Sequence, residues 1–161
     1  MNSDTIFGFG FTLWKQKYIQ AFLGGEIQIV NFVWTYTQAV NKGVNKNSNI
    51  INWGQRAIDE AYKTARQFDI PLGRVEDGFI RSVGLGSDLT PPLSLVVDKT
   101  GIYYDPTQPS DLESLLETYA FTDELIMRAA NIKKMLLENA VSKYNVGKKL
   151  VSNLLQNQAG Q

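Results

Sequence analysis

The spacing of apolar residues along this chain changes several times, and each change marks an element. Phe7-Gly-Phe-Gly-Phe-Thr-Leu-Trp14 is apolar and punctuated by glycine, and Leu13 to Leu23 then follows a helical pattern that Gly24-Gly25 would stop. Ile27 to Trp34 alternates, with Ile27, Ile29 and Val33 set against Val30, Phe32 and Trp34, which predicts a strand. Thr35 to Val44 reads as a helix, Lys46 to Asn49 as a polar loop, and Ile50 to Trp53 as a short apolar segment ended by Gly54. From Gln55 onward Ile58, Ala61, Tyr62, Ala65 and Phe68 recur at helical spacing; Pro71 lies past the end and Leu72 to Val75 begins another strand. Strand, helix and strand with short links predict a parallel unit with a right-handed crossover.

Further on, Leu93 to Val97 is a continuous apolar run expected to be a central strand. Asp98-Lys-Thr-Gly101 has turn composition and would return the chain into Ile102-Tyr-Tyr104 as a hairpin partner. Pro109-Ser-Asp-Leu-Glu113 holds a capping box, in which Ser110 accepts from the Glu113 amide while the Glu113 side chain reaches back. The helix it starts carries Leu112, Leu115 and Leu116, and a longer one after Thr122 carries Leu125, Ala129, Ile132, Leu136 and Ala140 in one stripe. Residues 151–161 end in polar residues and are expected to fray. The pattern predicts one α/β domain: a mainly parallel sheet flanked by helices, with a C-terminal β-hairpin.

Composition narrows what such a domain can do. The chain has 161 residues, and its 16 basic and 16 acidic side chains cancel, so no broad basic field exists to hold a nucleic-acid backbone. The densest basic pairs, Lys133-Lys134 and Lys148-Lys149, read as solvated helix faces. Cysteine and histidine are both absent, which excludes disulfides, thiol chemistry, histidine metal sites and Ser-His-Asp triads. The N-terminus lacks a signal-peptide pattern, and no run approaches the roughly 18 apolar residues that span a bilayer. A soluble, cytoplasmic protein without a transmembrane segment is expected.

The candidate chemistry concentrates between Arg74 and Asp105, where Glu76 and Asp77 are followed by Gly78, Arg81, Gly84, Gly86 and Pro91-Pro92. Charged residues at a strand end, followed by a glycine-containing loop, are a usual way for α/β proteins to build a site. One reading is structural: Asp77-Gly78 turns the chain and Glu76 pairs with Arg74 or Arg81. The other is functional: the carboxylates bind sugar hydroxyls, hold an arginine that clamps an anion, or transfer protons. Gly8-Phe-Gly10 and Gly84-Leu-Gly86 echo a dinucleotide fingerprint but lack its third glycine and distal acid, so a nicotinamide or flavin is not expected. No Asp-x-Asp pair supports a bound metal. Asp59-Glu60 is assigned to the solvated side of its helix, and Asp123-Glu124 to a first turn, where acids suit the helix dipole. Tyr103 and Tyr104 are assigned to packing, with one of them a candidate sugar platform.

Residues 75–105, from Val75-Glu-Asp-Gly-Phe-Ile-Arg-Ser82 to Asp98-Lys-Thr-Gly-Ile-Tyr-Tyr-Asp105, resemble the capsule polysaccharide biosynthesis family of KpsC type. Phe11-Thr-Leu-Trp-Lys15, Pro109-Ser-Asp-Leu-Glu113 and Ser142-Lys-Tyr-Asn-Val-Gly147 resemble it in the same order, and the first of these is most similar to the second of the family's two transferase modules. The resemblance implies a retaining β-Kdo glycosyltransferase that uses CMP-Kdo, with no further cofactor, to build the Kdo linker of capsular polysaccharide on a glycolipid acceptor. A family module has two Rossmann-like halves in a GT-B-like arrangement. Residues 1–147 match the first half, with 148–161 as a helical tail, and the missing second half is the implied partner. That later half would carry the aspartate nucleophile and the histidine motifs, so this chain is expected to be inactive alone. The residues implied to bind substrate are Glu76, Asp77, Gly78, Phe79, Arg81 and Ser82, with Gly84 and Gly86 shaping the loop; Glu76 and Asp77 are the candidates for catalysis. The implied location is cytoplasmic, with peripheral contact at the inner face of the membrane. A non-catalytic glycan-binding or interaction domain derived from this fold is the alternative.

Overall fold

The computed structural model describes residues 5–24, 30–82 and 89–141. Residues 1–81 with 91–120 form one compact unit, and residues 82–90 with 121–161 a second.

The first unit is built on a five-stranded sheet in the order β2-β1-β3-β4-β5. Its strands are β1 (Ile6–Phe9), β2 (Val30–Val33), β3 (Asn49–Trp53), β4 (Leu72–Asp77) and β5 (Leu95–Asp98). The first four run parallel, with Ile6 beside both Val30 and Asn49, and Ile50 beside Leu72; β5 runs antiparallel, pairing Asp77 with Leu95. This is the mainly parallel, helix-flanked sheet that the periodicity predicts.

Side-chain alternation divides the core between the two sheet faces. Phe7, Phe9, Val33 and Ile50 pack with Ala39 and Val44, and with Ala61 and Ala65 of helix α3 (Ile58–Phe68). Ile6, Val30, Ile51 and Val75 face the other way and pack with Phe11, Trp53 and Ile19 of helix α1 (Leu13–Ile19). Strand β1 is buried along its whole length because neighbours pair on both edges and apolar clusters cover both faces. Withdrawing a side chain the size of Phe7 or Phe9 from water contributes about 3 kcal/mol.

The predicted helix over 13–23 appears as α1 continued by a π-helical turn, Gln20–Gly24. Of the predicted strand over 27–34, β2 is observed, and residues 27–29 lie outside the described residues. Thr35 caps helix α2 (Tyr36–Asn41) by accepting from the Gln38 amide at 3.2 Å. Glu60 does not simply face solvent: its Oε2 accepts from the Tyr36 amide at 2.6 Å, tying α3 to the start of α2.

Two expectations for the C-terminal part are corrected. The run from Leu93 gives an edge strand, β5, not a central one, and Val97 is 41% exposed. Residues 102–104 turn and do not form a hairpin strand, so the antiparallel partner of β5 is β4. The cause is the buried Asp98 carboxylate. Its Oδ1 accepts from the amides of Thr100 (3.0 Å) and Gly101 (2.7 Å), and its Oδ2 from Asp111 (3.1 Å), which leads the chain into helix α4 (Asp111–Thr118). The predicted capping box is present there, with Ser110 and Glu113 satisfying each other's amides.

In the second unit the helix after Thr122 is α5 (Asp123–Glu138). Ala140 lies beyond its end, in a left-handed conformation. The expected fraying tail, residues 148–161, lies outside the described residues.

Candidate functional site

The sheet order places the winding reversal between β1 and β3: the chain leaves β1 for β2 on one side and returns to β3 on the other. In open α/β sheets the crevice at the carboxyl ends of such strands is where ligands bind. Residues 10–15, 53–56 and 76–81 converge on that edge.

The first of these segments depends on glycine. Gly10 adopts φ +78°, and a Cβ there would lie 2.5 Å from the Arg56 carbonyl oxygen, so only glycine lets the two loops meet. Asn52 secures the same carbonyl by donating from Nδ2. Phe11 then packs edge-to-face against Phe32 and Trp53, at centroid distances of 5.5 and 5.6 Å. Helix α1 begins immediately after, bringing Trp14 and Lys15 over the strand ends.

β3 ends at Trp53, and Gly54 turns with φ +54° while its amide donates to the Val75 carbonyl at 3.1 Å. Buried Arg74 donates from Nη2 to the Gly54 carbonyl at 2.7 Å. β4 ends in Glu76 and Asp77, after which residues 78–81 are fastened to the segment after the Pro91-Pro92 pair. Gly78 donates to the Ser94 carbonyl (3.0 Å), Ser94 Oγ to the Ile80 carbonyl (2.6 Å), and Leu93 to the Arg81 carbonyl (2.8 Å). Gly78 has no room for a Cβ beside Ser94.

The charged groups form one cluster. Asp77 Oδ1 lies 2.9 Å from Arg81 Nε in an ion pair whose geometry is not that of an aligned hydrogen bond, and Asp77 Oδ2 lies 4.0 Å from Lys15 Nζ. The Lys15 ammonium sits 3.3 Å from the centroid of the Trp53 ring, and Lys15 and Arg81 flank Trp14 at 5.4 and 5.9 Å. Burial pushes the Lys15 ammonium down to about 8, against the opposing attraction of Asp77 and Glu76. Glu76 Oε1 accepts from the Asp77 amide at 3.1 Å, and a Cβ built on Gly54 would lie 3.1 Å from Glu76 Oε2. Burial, then the Glu76 charge, raise the Tyr104 phenol above its ordinary value.

The residues singled out in the sequence therefore separate. Glu76, Asp77, Gly78 and Arg81 come together at the end of β4, with Arg81 only 4% exposed. The carboxylate that Arg81 meets, at 2.9 Å, is that of Asp77, and Arg74 donates to a backbone carbonyl. Phe79 is half exposed, with its ring 4.9 Å from Tyr103. Ser82 is buried and belongs to the second unit; Gly84 and Gly86 lie outside the described residues. Residue-type reasoning missed Lys15, Trp14 and Trp53, although Trp14 and Lys15 stand in the segment that carried part of the family resemblance. Among the described residues no helix is long and apolar enough to cross a membrane.

Comparison with known proteins agrees with the fold and extends the likeness to most of the chain. Residues 48–158 match the family described as capsule polysaccharide biosynthesis protein. The capsule polysaccharide modification protein LipA of Neisseria meningitidis serogroup A is 41% identical over 138 residues, covering 86% of this chain and 20% of LipA. The lipopolysaccharide-processing protein LpsZ of Rhizobium meliloti is 41% identical over 145 residues, covering 86% of this chain and 32% of LpsZ. Among solved structures, the β-Kdo 2,4-transferase KpsC of Thermosulfurimonas dismutans superimposes with a TM-score of 0.76 at 34% identity, over 94% of this chain and 45% of that one. The β-Kdo 2,7-transferase of the same organism gives 0.60 at 26% identity, over 91% and 46%. The chain thus spans less than half the length of each of these proteins.

Proposed function

This chain belongs to the capsule polysaccharide biosynthesis family, and on that premise we propose that it is the first Rossmann-like half of a retaining β-Kdo glycosyltransferase module. In this reading the complete module takes Kdo from CMP-Kdo and joins it to a glycolipid acceptor, releasing CMP, as a step in building the Kdo linker of capsular polysaccharide. The observation that carries it is the likeness of nearly the whole chain to a β-Kdo 2,4-transferase of which it covers 45%. The charged cluster at the strand ends supports it chemically. An acidic sugar and its nucleotide donor present carboxylate and phosphate oxygens, which suit Arg81 and Lys15, while Glu76 offers acceptors for sugar hydroxyls.

Retention at a sugar centre commonly proceeds through a covalent intermediate on a nucleophilic carboxylate. We assign that carboxylate to the second half of the module and give Asp77 the role of orienting Arg81. One wall of a cleft neither excludes water nor aligns donor and acceptor, so proximity and electrostatic gains are largely forfeited by the isolated chain. The test is an assay with CMP-Kdo and a Kdo-terminated acceptor, comparing this chain with a version extended through a second half. The extended protein should turn over and the short chain should not. Comparable rates would refute the half-module reading, and inactivity of both would remove the transferase assignment.

A further inference from the structure

Lys15 is not explained by anything it touches. An ammonium has three donors, yet among the described residues none has a hydrogen-bond acceptor: the Asp77 oxygen, at 4.0 Å, is beyond hydrogen-bonding range. The side chain is only 14% exposed, so the ammonium keeps only part of its hydration. A lysine kept for a structural ion pair would approach Asp77 closely, but Arg81 holds that carboxylate at 2.9 Å. The Trp53 face, 3.3 Å from the nitrogen, attracts the cation but supplies no lone pair. Lys15 therefore stands at the winding reversal of the sheet as a partly desolvated charge short of acceptors.

We propose that Lys15 is an anion-receiving group at the β1/β3 crevice, which takes a carboxylate or phosphate oxygen of the substrate between itself and the Arg81–Asp77 pair. The anion site follows from the geometry; its assignment to a sugar acid or its nucleotide rests on the function proposed above. Of the charged groups bearing on the ammonium, Arg81 and Arg56 favour an incoming anion, while Asp77 and Glu76 oppose it and set the direction from which it can approach. Asp77 and Glu76 come from β4, Arg81 from the segment after it, and Arg56 from the turn after β3. The two carboxylates leave Lys15 with its affinity for protons still reduced, so an incoming anion gains from this cation more than from a solvated surface lysine. Binding should draw protons onto Lys15 and weaken as pH rises past about 8.

The experiment is a pH titration of Lys15 in the 161-residue chain labelled at lysine 13Cε, alone and with saturating inorganic phosphate, CMP or Kdo. Lys15→Arg assigns the resonance by its disappearance. The Lys15 midpoint should move upward with an anion bound, and Lys15→Gln should weaken that anion's binding about tenfold or more, as expected for a charged hydrogen bond. Lys15→Arg should retain more affinity than Lys15→Gln. A midpoint unmoved by all three probes overturns the proposal, even if the extended protein proves to be a Kdo transferase. A response to phosphate or CMP but not to Kdo upholds the anion site and assigns it to phosphate. A response to phosphate together with an inactive extended protein upholds the site and removes the sugar reading.

Discussion

Asp77 and Arg81 are four residues apart and meet at 2.9 Å where β4 gives way to its loop, with Arg81 nearly buried and Asp77 one-fifth exposed. The contact fixes the guanidinium beside Trp14, 5.9 Å from its ring centroid, and draws the loop back over the strand end. The other oxygen of the same carboxylate, Oδ2, lies 4.0 Å from Lys15.

Asp77→Asn should destabilise the chain by about 3 kcal/mol, because a nearly buried guanidinium loses the carboxylate charge 2.9 Å from it. Urea unfolding at neutral pH measures this. The double variant Asp77→Asn with Arg81→Met should recover part of the loss, since it removes the buried positive charge as well. A single-variant loss below about 0.5 kcal/mol, within the range of ordinary surface substitutions, would show that the pair does not hold the loop.

Gly10→Ala should be among the most damaging small substitutions. It places an L-residue at φ +78° and drives a methyl group into the Arg56 carbonyl, which Asn52 holds in place. Strain and clash together should cost about 3 kcal/mol, or about 10 °C in Tm for a chain of this length. A change below about 2 °C would mean that the two loops can separate freely.

The elements that the sequence revealed are those decided locally. The apolar runs of β1 and β3, the 3.6-residue stripe of α3 and the capping box at Ser110 each follow from neighbours within a few positions. The hairpin expected at 102–104 failed because the Asp98 carboxylate accepts not only from the nearby Thr100 and Gly101 amides but from that of Asp111, thirteen residues on, and so steers the chain into α4. At the site, Glu76, Asp77 and Arg81 were legible because two adjacent acids and an arginine beside glycine are unusual at a strand end. Lys15 and Trp53 were not, because a single lysine in a helical pattern and a tryptophan in an apolar run look like surface and core. Only the parallel pairing of β1 with β3 brings their segments together.

Glu76→Gln should lower the pKa of the Tyr104 phenol. Burial raises that value first, and the Glu76 charge raises it further by opposing a second negative group. Removing the charge leaves burial in place and deletes the repulsion. Spectrophotometric titration of tyrosinate, with Tyr104→Phe as the reference that identifies the transition, measures the shift. An unchanged or higher midpoint would show that Glu76 does not act on Tyr104, and with it that the carboxylate does not face the turn at Gly54.

Lys15→Met should raise stability at neutral pH while weakening anion binding. The folded-state value, about 8, lies below the ordinary 10.5, so between them the unfolded chain binds more protons than the folded one. Stability of the parent chain should therefore rise as pH increases from about 8 toward 10.5, as the folded state is relieved of its desolvated cation. After allowance for the part of the side chain that water still reaches, the contribution is on the order of 1 kcal/mol. Methionine keeps the apolar contact with Trp53 and removes the charge, so the variant should lack that rise and be more stable below pH 8 by a similar amount. Denaturant midpoints of both proteins across this range provide the check. A variant less stable than its parent at neutral pH would mean that attraction to Asp77 outweighs desolvation, making Lys15 a structural counter-ion. A gain in stability with loss of anion binding is the signature of a residue held at a cost to folding for the sake of a ligand.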